Sequence, residues 1–157
     1  MSYFRVIHEN PRTLFGVVKY VKNENKTDSA TMDGFGVLPE SAFEEMDIVK
    51  KIYNQADGRQ YKHFVFSFDS NITLPIETLK EICYQIGCYY ANDYQILSAI
   101  HFDTNNIHCH YILNTVNMFD GTKFSMSKGD IYDYKKYINQ ILESYNLSKI
   151  ELYDNNI

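Results

Sequence analysis

At 157 residues, 45% of them hydrophobic and 22% charged, the chain has the length and composition of one globular domain with a proper core, which excludes disorder. No apolar run approaches a membrane span, residues 1–10 are too polar and short for a signal peptide, and three cysteines without metal-type pairing read as reduced thiols, so a cytoplasmic protein is expected. The net charge of −5 excludes a basic coat for nucleic acid; residues 1–62 hold nine Lys/Arg against nine Asp/Glu and residues 63–157 six against eleven, so any DNA-binding face is a local patch, drawn mainly from the N-terminal part.

Residues 3–8 (YFRVIH) have the β-branched and aromatic character of a short strand. Asn10 then reads as a helix cap with Pro11 at the first helical position, and the helix runs to about Lys22 on a stripe of Leu14, Val17, Val18 and Val21. Tyr20 lies beside that stripe, near the helix end, where its ring can lean on a sheet while its hydroxyl faces a cleft. With 14 tyrosines in the chain, packing is the ordinary role for any one of them. Residues 23–33 are polar and read as a loop; Lys22 and Lys26 are placed to meet phosphates, against the default of a solvated loop. Gly34 and Gly36 lack the surroundings of a phosphate-cradling loop.

Residues 39–53 predict a second helix with Phe43, Met46, Ile48, Val49 and Ile52 as its apolar positions. Residues 62–69 (KHFVFSFD) form the cleanest strand: Phe64, Phe66 and Phe68 alternate onto one face, His63, Val65 and Ser67 onto the other. His63 reads as an ordinary half-exposed histidine, with a supporting role behind the histidine cluster as the alternative. Thr73 is the expected cap of a third helix, with Pro75 near its start, running to about Tyr90 on Ile76, Leu79, Ile82, Cys83 and Ile86. Asp130 is the expected cap of a last helix, which ends near Tyr145 with Ile131, Tyr134, Ile138, Ile141 and Leu142 inward. There are no internal repeats or linkers. The tail from Leu147 stops without an obvious end, which suggests that residues 1–157 form one domain at the N-terminal part of a longer protein.

The chemistry concentrates in residues 99–117, AIHFDTNNIHCHYILNTVN. His108 and His110 are two apart in a run of β-formers, so both imidazoles leave one face of a strand. Residues 94–102 read as another strand, joined to the first through the turn-forming Asp103-Thr104-Asn105-Asn106. Register decides the rest. A turn at Thr104-Asn105 sets His101 opposite His108, one at Asn105-Asn106 sets it opposite His110, and a three-residue loop sends it to the other face. Either even register converges three imidazoles on one point, a divalent-metal site with room left for substrate or water. The plain alternative is a hairpin whose histidines hydrogen-bond or face water.

Strands near residues 3–8, 62–69, 94–103 and 107–118, with one or two more around 31–38 and 122–126, predict an α+β sandwich. Its central sheet is largely antiparallel, about five strands, with helices packed on one face and the other left for a ligand.

HFDTNNIHCHYILNTVN resembles the histidine motif of the HUH endonucleases, and with His101 upstream and Asn114 trailing it is similar to the relaxases that mobilise plasmids and conjugative transposons. VVKYVKNENKTD (17–28) looks like the relaxase tyrosine motif, and YKHFVFSFD (61–69) like the strand beside the histidine hairpin. The resemblance implies a bacterial, metal-dependent enzyme that nicks single-stranded DNA at an origin of transfer and rejoins it. His101, His108 and His110 would hold the ion (Mn or Mg in function, with Zn and Ni also suited to three imidazoles) and Tyr20 would form a 5′-phosphotyrosyl bond. It also implies accessory DNA-binding proteins of a relaxosome and a coupling protein, and no membrane. A free tyrosine titrates near pH 10, so attack at neutral pH needs the ion's charge or a base; Asp103 is the candidate to orient an imidazole or assist, with turn-forming as its alternative. Asn114, on the face of His110, is the candidate to position phosphate or to bond neighbouring backbone. The rival arrangement is a rolling-circle replication initiator with its tyrosine after the histidines, for which Tyr132-Asp133-Tyr134-Lys135 fits the pattern YxxK although Tyr134 falls on an inward stripe. A water-using phosphodiesterase and a non-catalytic, metal-stabilised DNA-binding module are the readings from other classes.

Overall fold

Residues 1–8 and 11–153 are described by a computed structural model. Its strands are β1 (Tyr3–Ile7), β2 (Met32–Phe35), β3 (Tyr61–Ser67), β4 (Ile96–His101) and β5 (His108–Asn114), and its helices α1 (Leu14–Val21), α2 (Ala42–Ile52), α3 (Ile76–Gly87) and α4 (Lys128–Ser144). The five strands make one sheet in the order β1-β3-β5-β4-β2, each pair antiparallel, so the α+β class and the antiparallel sheet are as expected. The strand expected around residues 122–126 is reduced to a single bridge between Val116 and Lys123. Among the described residues no helix is long and apolar enough to cross a membrane.

The alternation of β3 decides the layering. Phe64, Phe66 and Phe68 are buried with Cys109 and Tyr111 of β5 against Leu79, Ile82 and Ile86 of α3 and Tyr134, Ile138 and Leu142 of α4. Each phenylalanine taken from water contributes on the order of 1.5–3 kcal/mol. Close packing here reaches Gly87, where an added Cβ would stand 2.7 Å from Cζ of Phe35.

The expectation of helices on one face alone is corrected. Leu97, Ala99 and Ile112 point to the histidine side of the sheet and are buried against Leu14, Val17, Val18 and Val21 of α1 and Ala42 and Met46 of α2. These apolar residues share a face with the histidines by strand periodicity, so half of that face needs a cover. The ligand side is therefore the uncovered remainder, over β1, β3 and the histidine ends of β4 and β5.

Local signals shift several boundaries. α1 is capped by Thr13, whose Oγ1 accepts from Gly16 N at 3.0 Å, so Pro11 precedes the helix; Asn10 lies outside the described residues. Pro75 stands where Thr73 was expected as the cap of α3. Ser127 caps α4, and Asp130 closes the capping box three residues on, its carboxylate accepting from Ser127 N at 2.8 Å. In α2 the predicted stripe holds in part: Met46 is buried and Phe43 packs beside it as expected, but Ile48 and Ile52 are exposed and Lys50 faces inward instead.

Candidate active site

Hairpin register is the first determinant of the site. β4 and β5 pair His101 with His108 and Ala99 with His110, one of the two even registers, so three imidazoles share one face. Their candidate ligand atoms lie within 4.8 Å of one another.

Each ring is held by its far nitrogen. His101, 1% exposed, sets Nε2 2.8 Å from the carbonyl of Val21 at the end of α1. His108 Nδ1 is 2.9 Å from the Asn106 carbonyl and 3.3 Å from Thr104 Oγ1. His110 Nδ1 is 2.8 Å from Nε2 of His63. A ring that donates to a carbonyl keeps a lone pair on its other nitrogen, and this is how metal-ligating histidines are oriented. Among the described residues, His101 Nδ1 and His110 Nε2 are the buried side-chain polar atoms left without a partner, and both belong to the cluster. Burial pushes the imidazoles towards their neutral, ligating form: His110 falls to about 2, His63 to about 4, and His101 is lowered too. These donors fit a divalent cation with three nitrogen ligands and an open side, which suits Mn, Zn or Ni better than Mg.

His63 was expected as an ordinary half-exposed histidine, but it is 5% exposed and braces a ligand-type imidazole. A proton on His110 Nδ1 leaves Nε2 free to ligate and makes His63 the acceptor. The signal was present in the sequence, because β3 alternation puts His63 on the histidine face; only the pairing with β5 brings it to His110.

Tyr20 stands over the cluster, its ring edge-on to His101 at 6.0 Å and to His110 at 5.9 Å between centroids. The Arg12 guanidinium lies 4.1 Å from the centre of the Tyr20 ring, and Lys26 Nζ lies 5.6 Å away. Arg12 was not singled out in the sequence; its one trace there was the less acidic N-terminal part. Tyr20, Arg12, His63, His108 and His110 line one cleft of about 420 Å³.

The other candidates separate. Asp103 forms an ion pair with Lys26 at 2.6 Å; the lysine holds its carboxyl below the usual carboxylate range, and the hydrogen bond raises Lys26 in turn. Asp103 thus has no hydrogen bond to an imidazole among those described, and it ties the loop after α1 to the hairpin, as does Phe102 N, which donates to Lys26 O at 2.9 Å. Lys22 donates to Pro39 O at 2.5 Å and lines a different groove, between α1 and α2. Asn114 is fully buried under α2: its Oδ1 accepts from Lys50 Nζ, and its Nδ2 donates to Gln95 Oε1 at 2.9 Å and Met46 O at 3.3 Å. It is a core residue, out of reach of a bound strand. Tyr134 is also out of reach, 2% exposed on the opposite face of the sheet and donating to Ile86 O at 2.7 Å.

The site is thus an open antiparallel sheet that converges three imidazoles beside the Tyr20 ring. A family model described as "Relaxase: MobA/VirD2-like, nuclease domain" matches residues 20–147, and the chain belongs to this family of DNA-nicking domains. Over 103 residues, 63% of its length, the chain is 28% identical to one protein rlx of Staphylococcus aureus and 30% identical to another. It spans only about a third of those curated relatives, the match covering 30% and 31% of their length.

Proposed function

We propose that this domain nicks single-stranded DNA at an origin of transfer and rejoins it, starting conjugative transfer, with Tyr20 as nucleophile and His101, His108 and His110 holding a divalent cation. The observation that carries the reading is the pair of buried, unpartnered nitrogens, His101 Nδ1 and His110 Nε2, on the two imidazoles that the Tyr20 ring meets edge-on. A divalent cation held there by His101, His108 and His110, Mn being better suited to three imidazoles than Mg, would supply positive charge to the scissile phosphate.

The residues of the chain do the rest. The Tyr20 oxygen bonds to phosphorus as the P–O3′ bond breaks; the phenol loses one proton and the departing 3′ oxygen takes one up. The phosphodiester is exchanged rather than hydrolysed, so the 5′-phosphotyrosyl bond stores what rejoining needs. Tyr20 sits at the C-terminal end of α1, where the helix dipole disfavours negative charge, and the cations of Arg12 and Lys26 beside its ring offset this as the phenolate develops. The strand at the origin of transfer, accessory DNA-binding proteins and a coupling protein are the partners this reading assigns.

The test is covalent trapping. The protein is incubated with a random-sequence single-stranded library and Mn²⁺ or Mg²⁺, and run on a denaturing gel. DNA that stays on the protein, and is lost with Tyr20→Phe, is the expected result. Adducts that survive Tyr20→Phe would sink the assignment of the nucleophile, cleavage without any adduct would point to water as nucleophile, and binding without cleavage to a DNA-binding module.

A further inference from the structure

β1 brings two more side chains onto the histidine face. The register sets Tyr3 opposite Ser67, Ser67 opposite His108 and His108 opposite His101, in one row across the sheet. The next row runs from Arg5 through Val65 to His110. Neighbouring strands lie about 4.8 Å apart, so Tyr3 and Arg5 stand about 10 Å, two strand spacings, from His108 and His110. Ser67 and Val65 between them are short and buried, and form a floor. Tyr3 is 42% exposed, Arg5 is exposed with its guanidinium 5.4 Å from the centre of the Tyr3 ring, and both line the cleft that holds Tyr20. An exposed aromatic ring with a guanidinium over one face, lining the same cleft as Tyr20 and the histidines, matches a nucleotide: bases of any sequence stack on aromatic rings, and arginine takes the phosphate.

Direction follows from the positions of the groups. α1 packs over β4 and β5, and the Tyr20 ring lies edge-on to His101 and His110, so this side chain stands on the β4–β5 side of the cleft. β1 lies across the histidines from it. In-line displacement sets the leaving oxygen opposite the attacking one. We propose that Tyr3 and Arg5 form a subsite for the nucleotide on the 5′ side of the scissile phosphate, the one that departs with the 3′-hydroxyl: its base stacks on Tyr3 and its phosphate meets Arg5. The inference rests on the reading under Proposed function and deepens it, because a held 3′-end stays in place for rejoining.

The test starts from the nick sequence recovered by trapping. A fluorescein-labelled oligonucleotide of that sequence is titrated by anisotropy against Tyr20→Phe protein, which leaves the strand intact. Adding Tyr3→Ala should weaken binding by about five- to a hundredfold, the worth of one stacked base, and Tyr3→Phe should restore most of it. Arg5→Ala should lower the slope of log affinity against log salt by about one. An abasic residue on the 5′ side of the nicked phosphate should abolish the effect of Tyr3→Ala, and one on the 3′ side should preserve it. Thermal unfolding of each variant checks that this exposed position leaves the fold intact. Unchanged affinity in Tyr3→Ala, or dependence on the 3′-side base, overturns the subsite while adduct formation by the unsubstituted protein stands. Absence of any adduct with the unsubstituted protein overturns the reading beneath it, and the subsite with it.

Discussion

The histidine cluster makes stability depend on pH in a direction that can be worked out. Burial holds His63 at about 4 and His110 at about 2, against 6.5 for an unfolded imidazole. Below pH 6.5 the unfolded chain takes up protons that the folded chain refuses, so the metal-free protein loses stability as pH falls, through the window from 6.5 to about 4 for His63 and further for His110. At pH 5 the difference is worth about 2 kcal/mol for each residue, a large share of the roughly 5–15 kcal/mol that stabilises a domain. Urea unfolding of chelator-treated protein, followed by circular dichroism at pH 7.5 and pH 5, is the assay. With a slope of about 2 kcal/mol per molar, the midpoint should drop by roughly 2 M. In His63→Gln, where Gln keeps an acceptor for His110 but does not titrate, the drop should shrink to about half. A midpoint that ignores pH, or a drop of the same size in a His63→Gln/His110→Gln double variant, would refute the reasoning.

Tyr134→Phe should cost about 1 kcal/mol of stability, the buried hydrogen bond to Ile86, and leave adduct formation as in the parent; loss of the adduct would move the nucleophile to α4. Lys50→Met should cost about 1–3 kcal/mol by denaturant titration, because the Gln60 carbonyl and the Asn114 amide oxygen lose a donor in the core, and a neutral result would mean that the network adds nothing. Gly87→Ala should lower stability by about 1–3 kcal/mol as the new methyl meets the Phe35 ring, and an unchanged melting temperature would show that the ring moves aside freely.

The parts of this fold that could be read from the sequence are those where short-range periodicity meets a single constraint. Phe64, Phe66 and Phe68 had to share a side, and an even register had to gather His101, His108 and His110. What stayed hidden depends on pairing across long separations. Lys50 looks like a solvent residue on an amphipathic helix until Asn114, 64 positions on, gives its ammonium a partner in the core; burial there lowers it to about 8. The same contact takes Asn114 away from the phosphate role suggested by its place on the strand. The partner of Asp103 was hidden for a similar reason, since Lys26 is 77 positions away and outcompetes a neutral imidazole for a carboxylate. The second helical layer was legible in Leu97 and Ala99, but nothing local says which helices cover them.

The 2.8 Å contact between His101 Nε2 and the Val21 carbonyl joins two jobs in one strut. Val21 follows Tyr20 directly, and its carbonyl is one that helix geometry leaves without a partner inside α1. An ion held at the other nitrogen of that ring, Nδ1, would therefore share its imidazole with the very turn of helix that carries Tyr20. A variant at either end, in the imidazole or in that last turn of helix, takes a support from the other.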